Sequence, residues 1–141
     1  MFNQTDTSTV ASNYEQRWVD GLNKGDLSLA DEIFDAGCII HINGSPQRDL
    51  PIESFKQMLG GFFVAFPDLQ FTIEDQFSSG EKFCTRWSAI GTNNGPLGEI
   101  KPTGKEVKID GLMIDYLQNG KVAERWELWD QVAMMHQLGL L

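Results

Sequence analysis

The residues of this chain that could do chemistry are concentrated in one segment near its C-terminus. An Asn-Gly pair between two apolar-rich runs is typical of a tight hairpin turn, so a strand is predicted after Asn119-Gly120. Side chains alternate along a strand, so one face of it carries two carboxylates and two large apolar side chains: Glu124, Trp126, Leu128 and Asp130. A carboxylate beside large apolar groups is poorly hydrated, which raises its pKa and makes it a candidate for proton transfer.

Asp130 is the first candidate for acid/base catalysis on this segment. Its alternative is structural, because aspartate is favoured at the residue that precedes a helix, and a short apolar helix is predicted to follow. The two roles can coexist. Trp126 is predicted to form a wall of the site, and Trp129, on the opposite face of the strand, is a candidate for a subunit interface.

Two further polar residues lie in runs that are otherwise apolar. Asp115 stands between Ile114 and Tyr116, and a buried carboxylate needs a partner or a raised pKa, although the same pattern fits a solvated edge. His41 has an ordinary pKa near neutrality and could exchange a hydrogen bond with a substrate carbonyl. A lone histidine in a strand is also compatible with a hydrogen bond into the core.

Arg86 could pair with Asp130 or with a substrate anion. The alternative, which we favour, is a cross-strand ion pair with Glu74 or Asp75. The remaining candidates for binding are apolar or aromatic residues of the predicted helices, for which core packing is the alternative: Tyr14, Trp18 and Phe63.

The elements that must position these residues follow from two periodicities. Apolar residues recur at helical spacing in residues 10–22, 27–34 and 52–66, and they alternate in residues 69–74, 82–91 and 107–117. Between the strands predicted at 82–91 and 107–117, residues 92–105 are rich in Gly and Pro and predict a long loop of the kind that often serves as a lid or binding loop. Helices first and antiparallel strands last indicate an α+β fold, with N-terminal helices packed on a curved antiparallel sheet that encloses a pocket.

Bulk composition restricts the class of function. A length of 141 residues fits one domain over residues 1–141, with the first eight frayed. A formal charge of −9 argues against a nucleic-acid partner and against an anionic membrane surface. No signal peptide or membrane-spanning run is recognised, so a cytoplasmic location is expected. Cys38 and Cys84 are expected to be free thiols, and no metal-ligand spacing, phosphate loop or nucleophile elbow is present.

Several segments together resemble the SnoaL-like polyketide cyclases of the nuclear-transport-factor-2-like superfamily. They are Ala65-Phe66-Pro67-Asp68-Leu69, Phe71-Thr72-Ile73-Glu74-Asp75, Arg86-Trp87, Gly91-Thr92, Pro102-Thr103-Gly104-Lys105, Asn119-Gly120-Lys121-Val122 and Gln137-Leu138-Gly139. The resemblance extends over nearly the whole chain. It implies a cone-shaped α+β barrel, and dimers are common among proteins of this fold.

The resemblance also implies a reaction. Members of the family close a ring by an intramolecular aldol condensation, with an aspartate at the position of Asp130 as acid and base and a pocket histidine often at that of His41. No metal or organic cofactor is implied, because the conjugated carbonyls of the substrate spread the enolate charge. The sequence departs from the family at Met113 to Tyr116, where relatives often carry a histidine, aromatic or basic residue.

The resulting expectation is an acid/base enzyme, a cyclase or isomerase, acting on a small apolar carbonyl compound. An alternative is epoxide hydrolysis or ketosteroid isomerisation. Epoxide opening would need two carboxylates bridged by an arginine, for which Asp130, Asp115 and Arg86 supply the residue types. A non-catalytic carrier of a hydrophobic metabolite is the third interpretation.

Overall fold

The computed structural model describes residues 5–43 and 49–141, with side chains of the first helix described from residue 14 onward. Its helices are α1 (Thr5–Asn23), α2 (Ala30–Ile33), α3 (Ile52–Ala65) and α4 (Gln131–Gln137). Its strands are β1 (Phe34–Ile42), β2 (Asp49–Pro51), β3 (Gln70–Ser79), β4 (Lys82–Thr92), β5 (Glu106–Gln118) and β6 (Lys121–Trp129). A short 3-10 helix, Leu27–Leu29, leads into α2.

The strands form one curved sheet in the order β2-β1-β6-β5-β4-β3. Strands β3 to β6 make the antiparallel meander that the sequence predicts. The predicted α+β fold, with helices packed on a curved sheet, is confirmed. Two features of the sheet were not predicted. Strand β1 runs parallel to β6, which is possible because most of the chain separates them. The described strands also leave the sheet open, since β2 and β3 lie at opposite edges.

The helices cover one face of this sheet, which we call the inner face; the opposite face is the outer face. Aromatic rings join α1, β1 and α3 at the centre of the core. The ring of Trp18 lies 5.1 Å from that of Phe34, and Phe55 is 5.8 Å from Phe34. All three side chains are buried, as the helical spacing of apolar residues predicts for α1 and α3. This packing fixes α3 above the sheet and leaves a cavity beside it.

The long loop between β4 and β5 is attached to the end of α3 by Asn93. The buried side-chain amide of Asn93 donates to the carbonyl oxygens of Ala65 and Gly95, at 3.2 and 2.9 Å. Its oxygen accepts from the backbone N–H and the hydroxyl of Thr103, both at 2.9 Å. A Cβ at Gly95 would overlap the carbonyl oxygen of Val64, so the loop can approach α3 only through glycine. The loop is therefore held against the C-terminal end of α3.

The structure also bears on four smaller expectations from the sequence. Helix α1 begins at Thr5, so part of the segment expected to be frayed is helical, while residues 1–4 lie outside the described residues. The run Asn43-Gly44-Ser45-Pro46 also predicts a turn-rich loop, and of its residues Asn43 lies within the described part of the chain. Cys38 and Cys84 are both free, as expected, with Cys38 buried and Cys84 half-buried. Within the described part of the chain, no helix is both long enough and apolar enough to cross a bilayer.

Candidate active site

A cavity lies between α3, α4 and the inner face of β3 to β6. Its main chamber has a volume of about 550 Å³, counting the space that opens to solvent at its mouth. Its wall is made of aliphatic, aromatic and sulfur-containing side chains, with one ionisable residue, Glu127: Met58, Leu59, Phe62, Phe66, Leu69, Phe71, Trp87, Ala89, Gly91, Val107, Ile109, Glu127, Trp129 and Met134. An apolar wall with a single carboxyl group suits a small apolar ligand.

A second, inner chamber lies beside it toward α1, with a volume of about 360 Å³ that again counts space open to solvent. The two chambers share part of their wall: Leu59, Phe71, Trp87 and Glu127. The inner chamber adds two buried charged residues, Glu15 and Arg125, to this wall. Glu127 therefore lies where an apolar chamber meets a buried polar cluster.

Arg125 is the centre of this cluster. Its guanidinium donates from Nε and Nη2 to the two carboxylate oxygens of Asp115, at 2.6 and 2.8 Å. Nη2 also donates to Oε2 of Glu15 at 3.1 Å, and Nη1 lies 3.7 Å from Oε1 of Glu127. The guanidinium rests on the ring of Phe34, 4.9 Å from its centroid. One cation thus faces three carboxyl groups, with almost no exposure to water.

Tyr14 completes the cluster from α1. Its hydroxyl donates to Oδ2 of Asp115 at 2.6 Å. Burial, followed by the charges of Asp115 and Glu15, raises the pKa of Tyr14 far above its ordinary value, so the hydroxyl keeps its proton. Burial also opposes the charge of Arg125, but Asp115 and Glu15 outweigh it and raise the pKa of Arg125 well above its ordinary value. The Arg125–Asp115 pair with Tyr14 is therefore a fixed charged platform.

The two glutamates of the cluster are different, because their charge is not fully compensated. Burial raises the pKa of Glu15 to about 8, against the opposing effect of Arg125. Burial likewise raises the pKa of Glu127 to about 7, with Arg125 lowering it and Asp115 raising it. Near neutral pH, Glu15 is therefore mainly protonated, and both the protonated and the ionised form of Glu127 are populated. Glu127 is also the more accessible of the two, with a side chain 12% exposed.

The structure places the predicted residues Asp130, Trp126 and His41 away from this cavity. Asp130 is exposed and caps α4, where its carboxylate accepts from the N–H of Ala133 at 2.9 Å. Trp126 is 40% exposed on the outer face and stacks on the ring of His41 at 5.3 Å. None of the three is part of the wall of either chamber. The expected apolar wall around Asp130 is therefore on the other side of the sheet, and its catalytic role stays a prediction.

The other predicted residues are divided between the two faces. Arg86 is exposed on the outer face, directly opposite Asp75 in register, which is the position expected for the cross-strand pair. Asp115 and Tyr14 are buried under the inner chamber and bonded to one another. Trp18 contributes to the wall of the inner chamber, and Phe63 packs beside the cavity against Phe71, with ring centroids 6.4 Å apart. Four of the residues singled out from the sequence therefore line the cavity or pack beside it: Tyr14, Asp115, Trp18 and Phe63.

A β-bulge in β6 determines which of its side chains face the cavity. Leu117 pairs with Val122, but the preceding residue, Tyr116, pairs with Glu124, so Ala123 is an extra residue in β6. Val122 points inward, and an extra residue reverses the alternation after it. Arg125 and Glu127 therefore point inward, together with Trp129, which was expected at a subunit interface and instead lines the cavity.

Sequence reasoning missed Glu15, Arg125 and Glu127. The signal that could have found two of them is the alternate face of β6, which also carries an arginine and a carboxylate among apolar residues. Glu15 gave no such signal, since a glutamate on a helix is usually solvated. In the described part of the chain, no cluster of His, Cys, Asp and Glu side chains has the arrangement of a metal site. The three carboxyl groups of the cavity are instead grouped around Arg125.

A family described as SnoaL-like polyketide cyclase matches residues 12–138 of the chain. No curated protein sequence matches it.

Solved structures match nearly the whole chain. IdmH, a putative polyketide cyclase from Streptomyces antibioticus, is 26% identical, with 91% of this chain and 97% of that chain covered and a TM-score of 0.81. A putative polyketide cyclase from Bacillus cereus is also 26% identical, with 94% and 83% covered and a TM-score of 0.78. AclR, a putative hydroxylase from Streptomyces galilaeus, has a TM-score of 0.83 at 19% identity, covering 99% and 84%, and this likeness concerns the fold alone.

Proposed function

Because the chain belongs to the SnoaL-like polyketide cyclase family, we propose that it is a cyclase- or isomerase-type enzyme that uses acid/base chemistry on a small, largely apolar carbonyl compound. The substrate occupies the main chamber. Its conjugated carbonyls delocalise the charge of the enolate, so no cofactor takes part. We further propose that the enzyme acts in the cytoplasm, with no nucleic-acid or membrane partner, in keeping with its charge of −9.

The observation that carries this proposal is Glu127, the ionisable side chain in the apolar wall of the main chamber. A proton-transfer group is most effective when its pKa lies near the working pH, because both of its forms are then available. Burial raises the pKa of Glu127 to about 7, which meets this condition at neutral pH. The buried Arg125, 3.7 Å away, keeps the ionised form accessible.

In the proposed reaction, ionised Glu127 removes a proton from the carbon next to the substrate carbonyl, and an enolate forms. In an isomerase, Glu127 returns this proton to another carbon of the conjugated system. In a cyclase, the enolate carbon attacks a second carbonyl of the same molecule, a carbon–carbon bond forms, and Glu127 delivers its proton to the new alkoxide. Proton transfer of this kind contributes about 10²–10⁴-fold in rate.

Two carboxyl groups compete for this role, since the family resemblance favours Asp130 and the cavity favours Glu127. The test is the exchange of the α-protons of 2-tetralone, a compact bicyclic ketone, in D₂O, followed by NMR above the buffer rate. We expect Glu127→Gln to lower the exchange rate by roughly 10²-fold or more. Asp130→Asn should leave the rate near that of the wild type and change stability little, because asparagine is also a good helix cap.

The two variants, Glu127→Gln and Asp130→Asn, distinguish between the two candidate bases. If Asp130→Asn stops exchange and Glu127→Gln does not, Glu127 is the wrong residue and the family position of Asp130 is the catalytic one. If the protein binds 2-tetralone but does not accelerate its exchange above the buffer rate, the acid/base proposal fails and a carrier of hydrophobic metabolites is favoured.

Epoxide hydrolysis is the second candidate, because Arg125 faces carboxyl groups on both sides. Glu127 would take a proton from water as the water oxygen attacks an epoxide carbon. The carbon–oxygen bond would break, and Glu15, which holds a proton near neutral pH, would protonate the leaving oxygen. The residues differ from those expected from the sequence, since Arg125 replaces Arg86 and two glutamates replace Asp130 and Asp115. Hydrolysis of cyclohexene oxide that is lost in both Glu127→Gln and Glu15→Gln would support this candidate.

A further inference from the structure

Trp87 carries the unexplained polar atom of the cavity. Its side chain is buried, at 6% exposure, and its indole N–H is, among the described residues, the buried side-chain donor that lacks a hydrogen-bond partner. Buried N–H groups are nearly always paired, so an unpaired one calls for an explanation. Burying an unpaired donor is unfavourable, whereas a phenylalanine would fill much of the same space without this cost.

The position of the indole is built into the sheet. Trp87 lies on the inner face of β4, directly opposite Gly111 on β5. A Cβ at Gly111 would collide with the indole and would lie 2.8 Å from its Nε1. The absence of a side chain at Gly111 therefore allows the nitrogen edge of the ring to lie along β5. The ring of Phe71, tilted and 5.6 Å away, packs beside it.

The indole also belongs to the ligand site. Trp87 forms part of the wall of both chambers, as Glu127 does. The side chain that carries the unpaired N–H therefore belongs to the same part of the wall as the carboxyl group of Glu127, beside the apolar residues Leu59 and Phe71. An indole nitrogen can only donate, so its partner in a ligand must be an acceptor such as a carbonyl oxygen.

We propose that Trp87 donates a hydrogen bond from Nε1 to an oxygen of the bound ligand and so orients the ligand with respect to Glu127. The ligand class is then a compact apolar ketone or ester with an acceptor oxygen at the junction of the two chambers. This inference rests on the proposed function and extends it. As the enolate forms, charge builds up on the carbonyl oxygen, and the same N–H stabilises it more strongly than the neutral ketone.

The test compares 2-tetralone with tetralin, which has the same ring skeleton without the carbonyl. In protein labelled with ¹⁵N at the tryptophan indoles, the Trp87 Nε1–H resonance, assigned with Trp87→Phe, should move downfield with 2-tetralone and not with tetralin. Trp87→Phe should weaken 2-tetralone binding by about fivefold to tenfold and leave tetralin binding unchanged. Trp129→Phe is the matched control, because it removes another indole of the main chamber and should not abolish the preference for the ketone.

The outcomes separate this inference from the proposed function. If 2-tetralone binds and its exchange depends on Glu127, but the Trp87 resonance does not move, the role of Trp87 is refuted and the acid/base proposal stands. The role of Trp87 is also refuted if wild type and Trp87→Phe prefer 2-tetralone over tetralin by the same factor. If neither compound perturbs any resonance of the cavity, the ligand class is wrong and the proposed function falls with it.

Discussion

At the scale of residues, the cavity is controlled by a shortage of positive charge. Arg125 faces three carboxyl groups, and Asp115 occupies both of its strongest hydrogen-bonding positions. Tyr14 adds a further hydrogen bond to Asp115, so this carboxylate is fully satisfied. Glu15 and Glu127 interact more weakly with Arg125 than Asp115 does. The effect of burial therefore outweighs that of Arg125, and the pKa of both glutamates is raised. The platform itself is structural, and the protons that can move belong to the two glutamates.

This distribution of protons makes a prediction for the pH dependence of exchange. Glu127 must be ionised to act as a base, and its pKa is raised to about 7. The rate of α-proton exchange should therefore rise about tenfold per pH unit below that value and level off above it. A base with the ordinary carboxyl pKa of about 4 would instead give a flat profile between about pH 5 and pH 9.

The pH profile of exchange by purified protein, corrected for the buffer rate, decides between these cases. Because the glutamates interact, the observed midpoints belong to the cluster as a whole. Hydrolysis of an epoxide would also need protonated Glu15, whose pKa lies at about 8, and its rate would fall again at higher pH. A flat exchange profile would contradict the assignment of Glu127.

At the scale of elements, one bulge decides which residues of β6 reach the cavity. Without the extra residue Ala123, Glu124 and Trp126 would point inward, as the alternation after Val122 predicts. With it, these two side chains lie outside and meet His41 of the neighbouring strand β1. Trp126 and His41, which the sequence suggested as site residues, therefore lie on the outer face, where they contact one another.

His41 joins three strands on the outer face. Its Nδ1 lies 2.7 Å from Oδ1 of Asp49 on β2, and its Nε2 lies 2.6 Å from Oε2 of Glu124 on β6. Hydrogen bonds to Asp49 and then to Glu124 raise the pKa of His41. The protonated ring can donate to both carboxylates at once, whereas a neutral ring has one N–H to donate.

Replacing His41 should therefore have a pH-dependent effect on stability. A raised pKa in the folded state means that the stabilisation is fully present below the unfolded value of about 6.5 and is lost as pH rises through the folded value. We expect His41→Gln to lower the free energy of unfolding by on the order of 1 kcal/mol more at about pH 6 than at about pH 9. Urea denaturation at both pH values measures this, with His136→Gln, at an exposed histidine, as control. Equal losses at the two pH values would contradict the role of the charged ring.

At the scale of the whole molecule, the outer face of the sheet is unusually apolar. Leu112, Ile114, Trp126 and Leu128 lie next to one another on β5 and β6 and are 40–61% exposed. Contiguous apolar surface of this kind marks an interaction site. Arg86 and Asp110 lie beside it, so the face carries charges of both signs. A face with both signs can be complementary to itself, and we propose that a second copy of this chain covers it to form a homodimer.

A charge placed at the centre of this surface should prevent the dimer. We expect the wild type to sediment as a dimer and Leu128→Lys as a monomer with unchanged circular dichroism. Val64→Lys is the matched control, since Val64 is similarly exposed, at 58%, but lies on α3 away from the outer face. Sedimentation velocity at several concentrations measures this, and a wild type that stays monomeric at all of them refutes the proposal.

The local sequence determined the elements because their signals are local. Period-four and period-two spacing of apolar residues located α1, α3 and the strands of the meander. The turn between β5 and β6 was readable because Asn119 and Gly120 both adopt positive φ, at 54° and 78°, which these residue types tolerate. Asp130 was readable as a helix cap for a similar reason, since its hydrogen bond reaches a backbone group three residues away.

The site depends on tertiary structure because its residues are distant in the chain. The direction in which the β6 side chains point also depends on one bulged residue, Ala123. Tyr14 and Asp115 are separated by 101 positions, and no local pattern marks such a pair. The two faces of β6 are nearly equivalent in sequence, since each carries a carboxylate among large apolar groups. Only the pairing of β5 with β6 places the extra residue at Ala123, and that pairing turns Arg125 and Glu127 toward the cavity.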